Sequence, residues 1–410
     1  MRKNAIIILG ASFEQEEIYK ESLKLKLSIV SIDKNRDALC RKYSNYFIEE
    51  STLNPDKIIK KIEASNLKDL YIFKGVITLG TDIPVTVSKI ANYFKLKSIS
   101  IKSAKFASNK ILMKKRFKKF RVPTANFSFF SKFDNFYRLI KRSKNNFIIK
   151  PSDNKGARGV AVINQNLGEK KLRNLFKKSK ELSTEKKVIC ESYISGDQIS
   201  SEGIFINKKY YGVALSDRNY DKLNFTKPNI VENGGSIPSK YTRKFKEKIN
   251  KVMHQAAKSL DINFGTIKGD VIINQGKVYI VELAARLSGG YFASYTIPMT
   301  YGINIVKASL LCSLNKKISP KLISPKYIKH HCQRYIFTKS GKVRNIKFDK
   351  KILKKKYLKT LKIFIKKNQY LKKITSHPDR RGMIICSGKN YKNSILKTNN
   401  IIKEIKINLI

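Results

Sequence analysis

The sequence predicts an α/β protein, mixed α+β over its full length, that opens on a parallel sheet, and three observations carry this. Residues 5–9 (AIIIL) form a short apolar run ending at Gly10, a polar amphipathic stretch follows, and a second apolar run, LSIVSID, ends at Asp33. Strand, helix and strand in that order open a parallel sheet. The run GVITLGTD at 75–82 and a helix over 85–94 continue the unit, which closes near Ser103. Farther on, apolar runs are joined by tight glycine turns, as in hairpins. The expected organisation is an open parallel sheet over 1–105, a central unit over 106–310 with a subdomain at about 120–190, and a mixed α/β domain over 311–410.

Size and composition fit this reading. The chain has 410 residues, room for roughly two to four domains, and its 41% hydrophobic and 28% charged content exclude a largely disordered chain. The balance is unusual, with 86 Lys+Arg against 30 Asp+Glu and a net charge of +56. That excess is mostly lysine, spread over the whole chain with many Ile and Asn and no Trp, whereas a nucleic-acid reader concentrates charge on one face and favours arginine. It reads as compositional drift, and no specific nucleic-acid partner is expected. The five cysteines (Cys40, Cys190, Cys312, Cys332, Cys386) are far apart and contain no CxxC pair, which points to reduced thiols and a cytoplasmic protein. The apolar run after MRKN is too short for a secretory signal, and no stretch approaches the roughly 18 apolar residues of a membrane span.

The elements follow in order. The fingerprint of dinucleotide folds is absent, since Ser12 and Gln15 stand where GxGxxG needs glycines, so NAD and FAD are excluded. A basic helix over 108–120 (SNKILMKKRFKKF) runs up to Val122-Pro123, where proline stops it. Residues 147–163 (FIIKPSDNKGARGVAVI) read as strand, glycine loop and strand, and 187–206 (KVICESYISGDQISSEGIFI) as strand, turn at Gly196 and strand. A helix spans about 242–260. Residues 262–290 (INFGTIKGDVIINQGKVYIVELAARLSGG) give two strands around a turn at 274–276. The Lys-rich last hundred residues contain strand-like LKTLKIFI and MIICSG.

Two constellations carry chemistry. The loop 152–159, SDNKGARG, places two glycines between apolar strands, so its backbone N–H groups are able to close over an anion. Lys150 on the incoming strand and Lys110 on the preceding helix are ammonium groups for phosphates; the alternative is that each is solvated surface. Asp270 and Glu282 sit one on each strand of the later hairpin among apolar neighbours, where a carboxylate is costly unless something positive is present. Two carboxylates facing one site suit Mg2+, with pairing to lysines as the alternative. Arg286, four residues on, is a clamp for a transferring phosphoryl group.

In this order, Lys110, Lys150-Pro, SDNKGARG, ESYISG, Asp270 and VELAARLSGG resemble the ATP-grasp superfamily of carboxylate–amine ligases over nearly the whole chain. The opening ILGAS…SIDKN and GVITLGTD resemble the domain that precedes the ATP-grasp fold in purine-pathway carboxylases and glycinamide ligases, carbamoyl-phosphate synthase and L-amino-acid ligases. The resemblance implies ATP with Mg2+ or Mn2+. It puts Lys110 and Lys150 on the phosphates, with the loop carrying Ser152, Gly156, Arg158 and Gly159 as a lid. Glu191, Tyr193 and Ile194 would hold adenine. The ribose-binding acid falls on Gln198, beside Asp197. Asp270 and Glu282 match the metal-binding acids, although the usual Asn two positions later is Ala284. Arg286 matches the phosphate-clamping arginine, and Lys268 stands where many members carry a base near the acyl phosphate.

The implied reaction phosphorylates a carboxylate, an amine attacks the acyl phosphate, and phosphate leaves, which needs positioning and charge neutralisation rather than a side-chain nucleophile. The partners are therefore a small carboxylate, such as an amino acid, and an amine; a homodimer is compatible with this. Arg218 and Glu232, between hinge and hairpin, are candidates for a substrate carboxylate and an amine, with solvated loop charges as the alternative, and the turn 288–290 for the acyl end. His254, His330, His331 and His377 lie outside the motifs and read as structural or surface residues. Two rivals stand beside the ligase: a carboxyphosphate-forming carboxylase, and a basic binding protein on a degenerate scaffold.

Overall fold

The computed structural model describes residues 1–410. The opening sheet has four parallel strands in the order Tyr46–Glu49, Ser28–Asp33, Lys3–Leu9, Tyr71–Ile77. Ala5 to Leu9 are all fully buried because helices cover both faces, as a parallel sheet requires. Ile7 and Leu9 pack with Ile58, Ile62 and Ile90 on one face. Ile6 and Ile8 join Ile18 on the other, in a cluster that also holds Val306 and Leu310 of helix Ile305–Ser313 and Ile204 of a later strand. That shared core fixes the opening sheet to the rest of the chain.

A second, antiparallel sheet of four strands runs Phe127–Phe130, Val188–Ser192, Phe147–Pro151, Ala161–Ile163, covered by helices Phe133–Lys141 and Glu169–Glu181. The largest sheet has eight strands in the order Lys277–Ala284, Thr266–Asn274, Asp197–Ile206, Lys209–Arg218, Gly235–Ile237, His330–Ile336, Gly382–Gly388, Leu358–Ile363. The strands expected at LKTLKIFI and MIICSG exist. They extend this central sheet, however, so the sheet crosses the boundary expected at 310. A small sheet, Tyr370–Leu371, Gly341–Lys347 and Lys406–Leu409, completes the chain. All five cysteines are free and buried, and no helix is long and apolar enough to cross a membrane.

The basic helix differs from its expected start. Helix Ile101–Ser108 ends, Asn109 breaks the path with φ −110° and ψ 112°, and Lys110–Lys119 begins anew. The cause is capping: the Asn109 side-chain oxygen accepts from Ile111 N and Leu112 N at 3.0 Å each. Its amide donates to Glu185 at 2.7 Å, so the cap also sets where Lys110 leaves the chain. Asn109→Ala is expected to cost about 1–2 kcal/mol in urea unfolding.

Candidate active site

The two acids of the hairpin meet. Asp270 and Glu282 are direct partners across strands Thr266–Asn274 and Lys277–Ala284, just before a register shift at Asp270/Val271. On the other side of the first strand, Ser200 pairs with Asp270 and Glu202 with Lys268. Strand alternation therefore puts Gln198, Ser200, Glu202, Lys268 and Asp270 on one face. Asp270 is held by Lys268 Nζ at 2.6 Å and Arg218 at 2.9 Å, and the second arm of Arg218 reaches Glu232 at 2.9 Å. Glu282 lies 3.8 Å from Lys110 and stays 39% accessible, so it opens into the cleft. Burial works to raise its pKa, but Lys110, Lys268, Lys150 and Arg218 outweigh this and hold it well below the usual carboxylate range.

The glycine loop sits above these acids. Its strands pair antiparallel, and Gly156 and Gly159 take φ of +69° and +71°, where a side chain is strained. Lys110 Nζ donates to Asn154 O in this loop at 2.6 Å, so one ammonium touches both the loop and the acid Glu282. Beneath it, Lys150 and Lys114 both reach the buried Glu191, at 3.1 and 3.3 Å. Burial opposes the Glu191 charge, yet Lys114 and Lys150 keep its pKa low; burial, with Lys150 nearby, lowers that of Lys114. The other Glu191 oxygen, Oε1, is buried with no hydrogen bond. An open cleft of about 400 Å³ beside the hinge is lined by Thr124–Asn126, Ser192–Ser195, Asn274 and Tyr279. A wider groove of about 660 Å³ is lined by Lys115, Lys118, Lys119 and Phe127–Phe130; neither groove is lined by Asp270 or Glu282, and only the smaller one borders Tyr193 and Ile194.

A family model described as an ATP-grasp domain matches residues 107–290. That stretch spans every motif from Lys110 to the SGG turn. Residues 107–290 are thus similar to an ATP-grasp domain. Solved structures agree in fold over the whole length. Phosphoribosylglycinamide synthetase from Anaerococcus prevotii is 21% identical with a TM-score of 0.74, covering 99% of this chain and 100% of its own. L-amino acid ligase from Bacillus licheniformis is 16% identical with a TM-score of 0.81, covering 100% of both. The biotin carboxylase domain of Hydrogenobacter thermophilus 2-oxoglutarate carboxylase, solved as a dimer with MgADP, ADP and bicarbonate, is 13% identical with a TM-score of 0.72, covering 100% of this chain and 92% of its own. No curated protein matches by sequence.

Within this cleft the expected residues divide. Lys110, Glu282, Asp270 and Lys268 form one set, and Lys150 with Glu191 a second. Ser152 joins neither, because its buried hydroxyl pairs with Ser183 at 2.9 Å. Arg158 is exposed on the loop, and its guanidinium only approaches Lys155 O at 3.4 Å. Tyr193 is an exposed part of the hinge and Ile194 lies beside it on the small cleft. Gln198 shares the face of Asp270, whereas Asp197 is taken by Lys240 at 2.9 Å and by Tyr241. Arg218 is corrected: both arms are committed to Asp270 and Glu232, so it organises acids rather than waiting for a substrate carboxylate. Arg286 Nε lies 3.6 Å from Asp82 Oδ1, both buried without hydrogen bonds.

Four contributions were missed. Lys114 is one helical turn after Lys110, a spacing that was available to find it. Glu202 alternates with Gln198 and Ser200, and both its oxygens accept from Ser288 of the SGG turn. Burial pushes Glu202 up to about 7 against the pull of Ser288, Lys268 and Arg286. From the helical turn Phe13–Gln15 that follows the first strand, Glu14 accepts from Gly290 N at 3.0 Å, so this turn is gripped by two acids far apart in sequence. His377, whose backbone N donates to Gly156 O at 3.1 Å, has its pKa lowered by burial and then by Arg380, Arg218 and Lys268, against Glu282. His331 is structural, buried on Thr300 at 2.9 Å, with burial lowering its pKa to about 4.

Two measurements test this electrostatics. Glu191→Gln leaves Lys114 and Lys150 unpaired and is expected to cost about 3–5 kcal/mol in urea unfolding at pH 7. Because the folded pKa of Glu191 is depressed, that contribution is lost as pH falls below the usual carboxylate range. Glu202 has the opposite sign. Its folded pKa, about 7, exceeds the ordinary 4.5, so wild type loses stability relative to Glu202→Gln as pH rises between those values, by up to ~3 kcal/mol.

Proposed function

We propose that the protein is an ATP- and Mg2+-dependent ligase that activates a small carboxylate as an acyl phosphate and joins it to an amine. One observation carries the reading: the paired carboxylates Asp270 and Glu282 lie near the glycine loop, and Lys110 contacts both loop and acid. Every other assignment extends that geometry.

The residues fit the implied nucleotide. The unpartnered Glu191 Oε1 is a buried acceptor suited to an exocyclic adenine amine, and a carboxylate left without a donor there is costly. Lys110 and Lys150 supply cations at the phosphate end, and the loop excludes water from it. The pair Asp270 and Glu282 fits Mg2+, although no group of three His, Cys, Asp or Glu gathers in the chain. Mg2+ accepts one or two carboxylates when phosphates and waters complete its shell. When bound, ATP supplies the phosphoryl group and Mg2+ neutralises the charge that develops on it.

The chain's own residues then orient the reaction. Arg286 and Lys268 hold the transferring group and the acyl oxygen, stabilising negative charge where it grows. Glu202 and Glu14 fix the SGG turn that seats the acyl end. Lys268 is itself paired with Asp270, so its ammonium is charge-balanced before substrate arrives and positioned without reorganisation.

The test is a panel of small carboxylates, including bicarbonate, and amines incubated with ATP and Mg2+, read by mass spectrometry for the condensed product and by ADP release. Wild type is expected to release ADP with the matching pair. Glu282→Gln and Lys150→Ala are expected to lower the rate at least about 100-fold, the scale of losing one transition-state charge contact. No binding of ATP at millimolar nucleotide would sink the reading, and product formed only from bicarbonate would move it to the carboxylases.

A further inference from the structure

The segment 375–381 comes from the C-terminal part of the chain, just before strand Gly382–Gly388, and no sequence motif marks it. Its shape is set by one carboxylate oxygen. Asp379 Oδ2 accepts from Thr375 N at 2.9 Å, Thr375 Oγ1 at 3.1 Å, Ser376 N at 2.9 Å and Ser376 Oγ at 2.9 Å. Burial opposes the Asp379 charge, but these four donors keep its pKa low. Arg380 Nε donates to His377 O at 2.8 Å, and the Arg380 guanidinium stacks 3.4 Å from the Tyr335 ring centre. The turn is therefore rigid and anchored on the central sheet.

It touches the glycine loop. His377 N donates to Gly156 O at 3.1 Å, and the Pro378 ring lies 3.7 Å from where a Cβ on Gly156 would stand. The same loop is held elsewhere by Lys155, whose Nζ donates to Asp82 O of the opening domain, and by Lys110 on Asn154 O. Its fastenings thus come from three parts of the chain.

We propose that this turn is a clasp by which the C-terminal part of the chain holds the glycine loop shut over the nucleotide, with the His377 N–H as its donor and Asp379 as the positioning residue that shapes it. The role over nucleotide rests on the ATP reading above; the fastening of the loop does not. A loop with left-handed glycines has little intrinsic preference for one conformation, so contacts from outside decide how long it stays closed. A single neutral hydrogen bond is worth about a five- to tenfold change in such an equilibrium.

The test uses the full-length protein and separates donor from side chain. His377→Pro removes the N–H at the first position of a short helical turn, where proline is tolerated after an extended residue, and Ser376 has φ −155° and ψ 170°. His377→Ala keeps the N–H. Asp379→Ala dissolves the turn by a second route. Two rates are read: tryptic cleavage after Lys155 and Arg158, resolved by mass spectrometry, and release of MgADP after dilution. His377→Pro and Asp379→Ala are expected to speed both by about five- to tenfold at unchanged circular dichroism, with His377→Ala matching wild type in cleavage. Equal cleavage in His377→Pro and His377→Ala overturns the clasp. Wild type that binds no MgADP overturns the ATP reading alone, since the cleavage rates still decide the fastening.

Discussion

The cleft depends on how its buried carboxylates are compensated. Asp270 and Glu191 are buried, Glu232 nearly so, and Glu282 opens to the cleft; each is met by a cation: Lys268 of its own strand and Arg218 on Asp270, Lys110 near Glu282, Lys114 and Lys150 on Glu191, Arg218 on Glu232. Taking such charges out of water is expensive, and the attraction offsets it only when geometry is good. The network ties strands Lys209–Arg218 and Thr266–Asn274 together on one face, with Asp197–Ile206 between them: Arg218 and Asp270 pair across the sheet. It also leaves Glu282 the most accessible of these acids.

Around that network the chain closes from three sides. The opening sheet brings Asp82 to Lys155 and Arg286, and Glu14 to the SGG turn; the C-terminal part brings His377 to Gly156. Gly289 lies so close to Gly80 that a Cβ on Gly80 would come within 2.8 Å of the Gly289 Cα, so glycines are required where these domains meet. The core shared by the opening sheet, helix Ile305–Ser313 and the central sheet keeps these approaches in register. The catalytic geometry is thus a property of the assembled chain rather than of the matched stretch 107–290.

Much of this was legible from residues in sequence. The strand–helix–strand opening, the glycine loop and the acid hairpin followed from apolar runs punctuated by Gly and from carboxylates set among apolar neighbours. Lys114 was legible in principle from its spacing to Lys110, but among so many lysines a single one carries little signal until Glu191 is seen between it and Lys150. Arg218 was read as either a substrate-carboxylate ligand or a solvated loop charge, because nothing local reveals that Asp270, far along the chain, takes one of its arms. His377 was read as structural or surface because it lies outside the motifs, and its backbone contact to Gly156 has no local signal.

The net charge of +56 marks the same division. The sequence by itself determined the elements, their order and the scarce acids, because periodicity and turn chemistry are written in neighbouring residues. Only the tertiary structure decided which few of 86 cations meet the acids and carbonyls of the cleft, since each such partner is set by sheet register and packing.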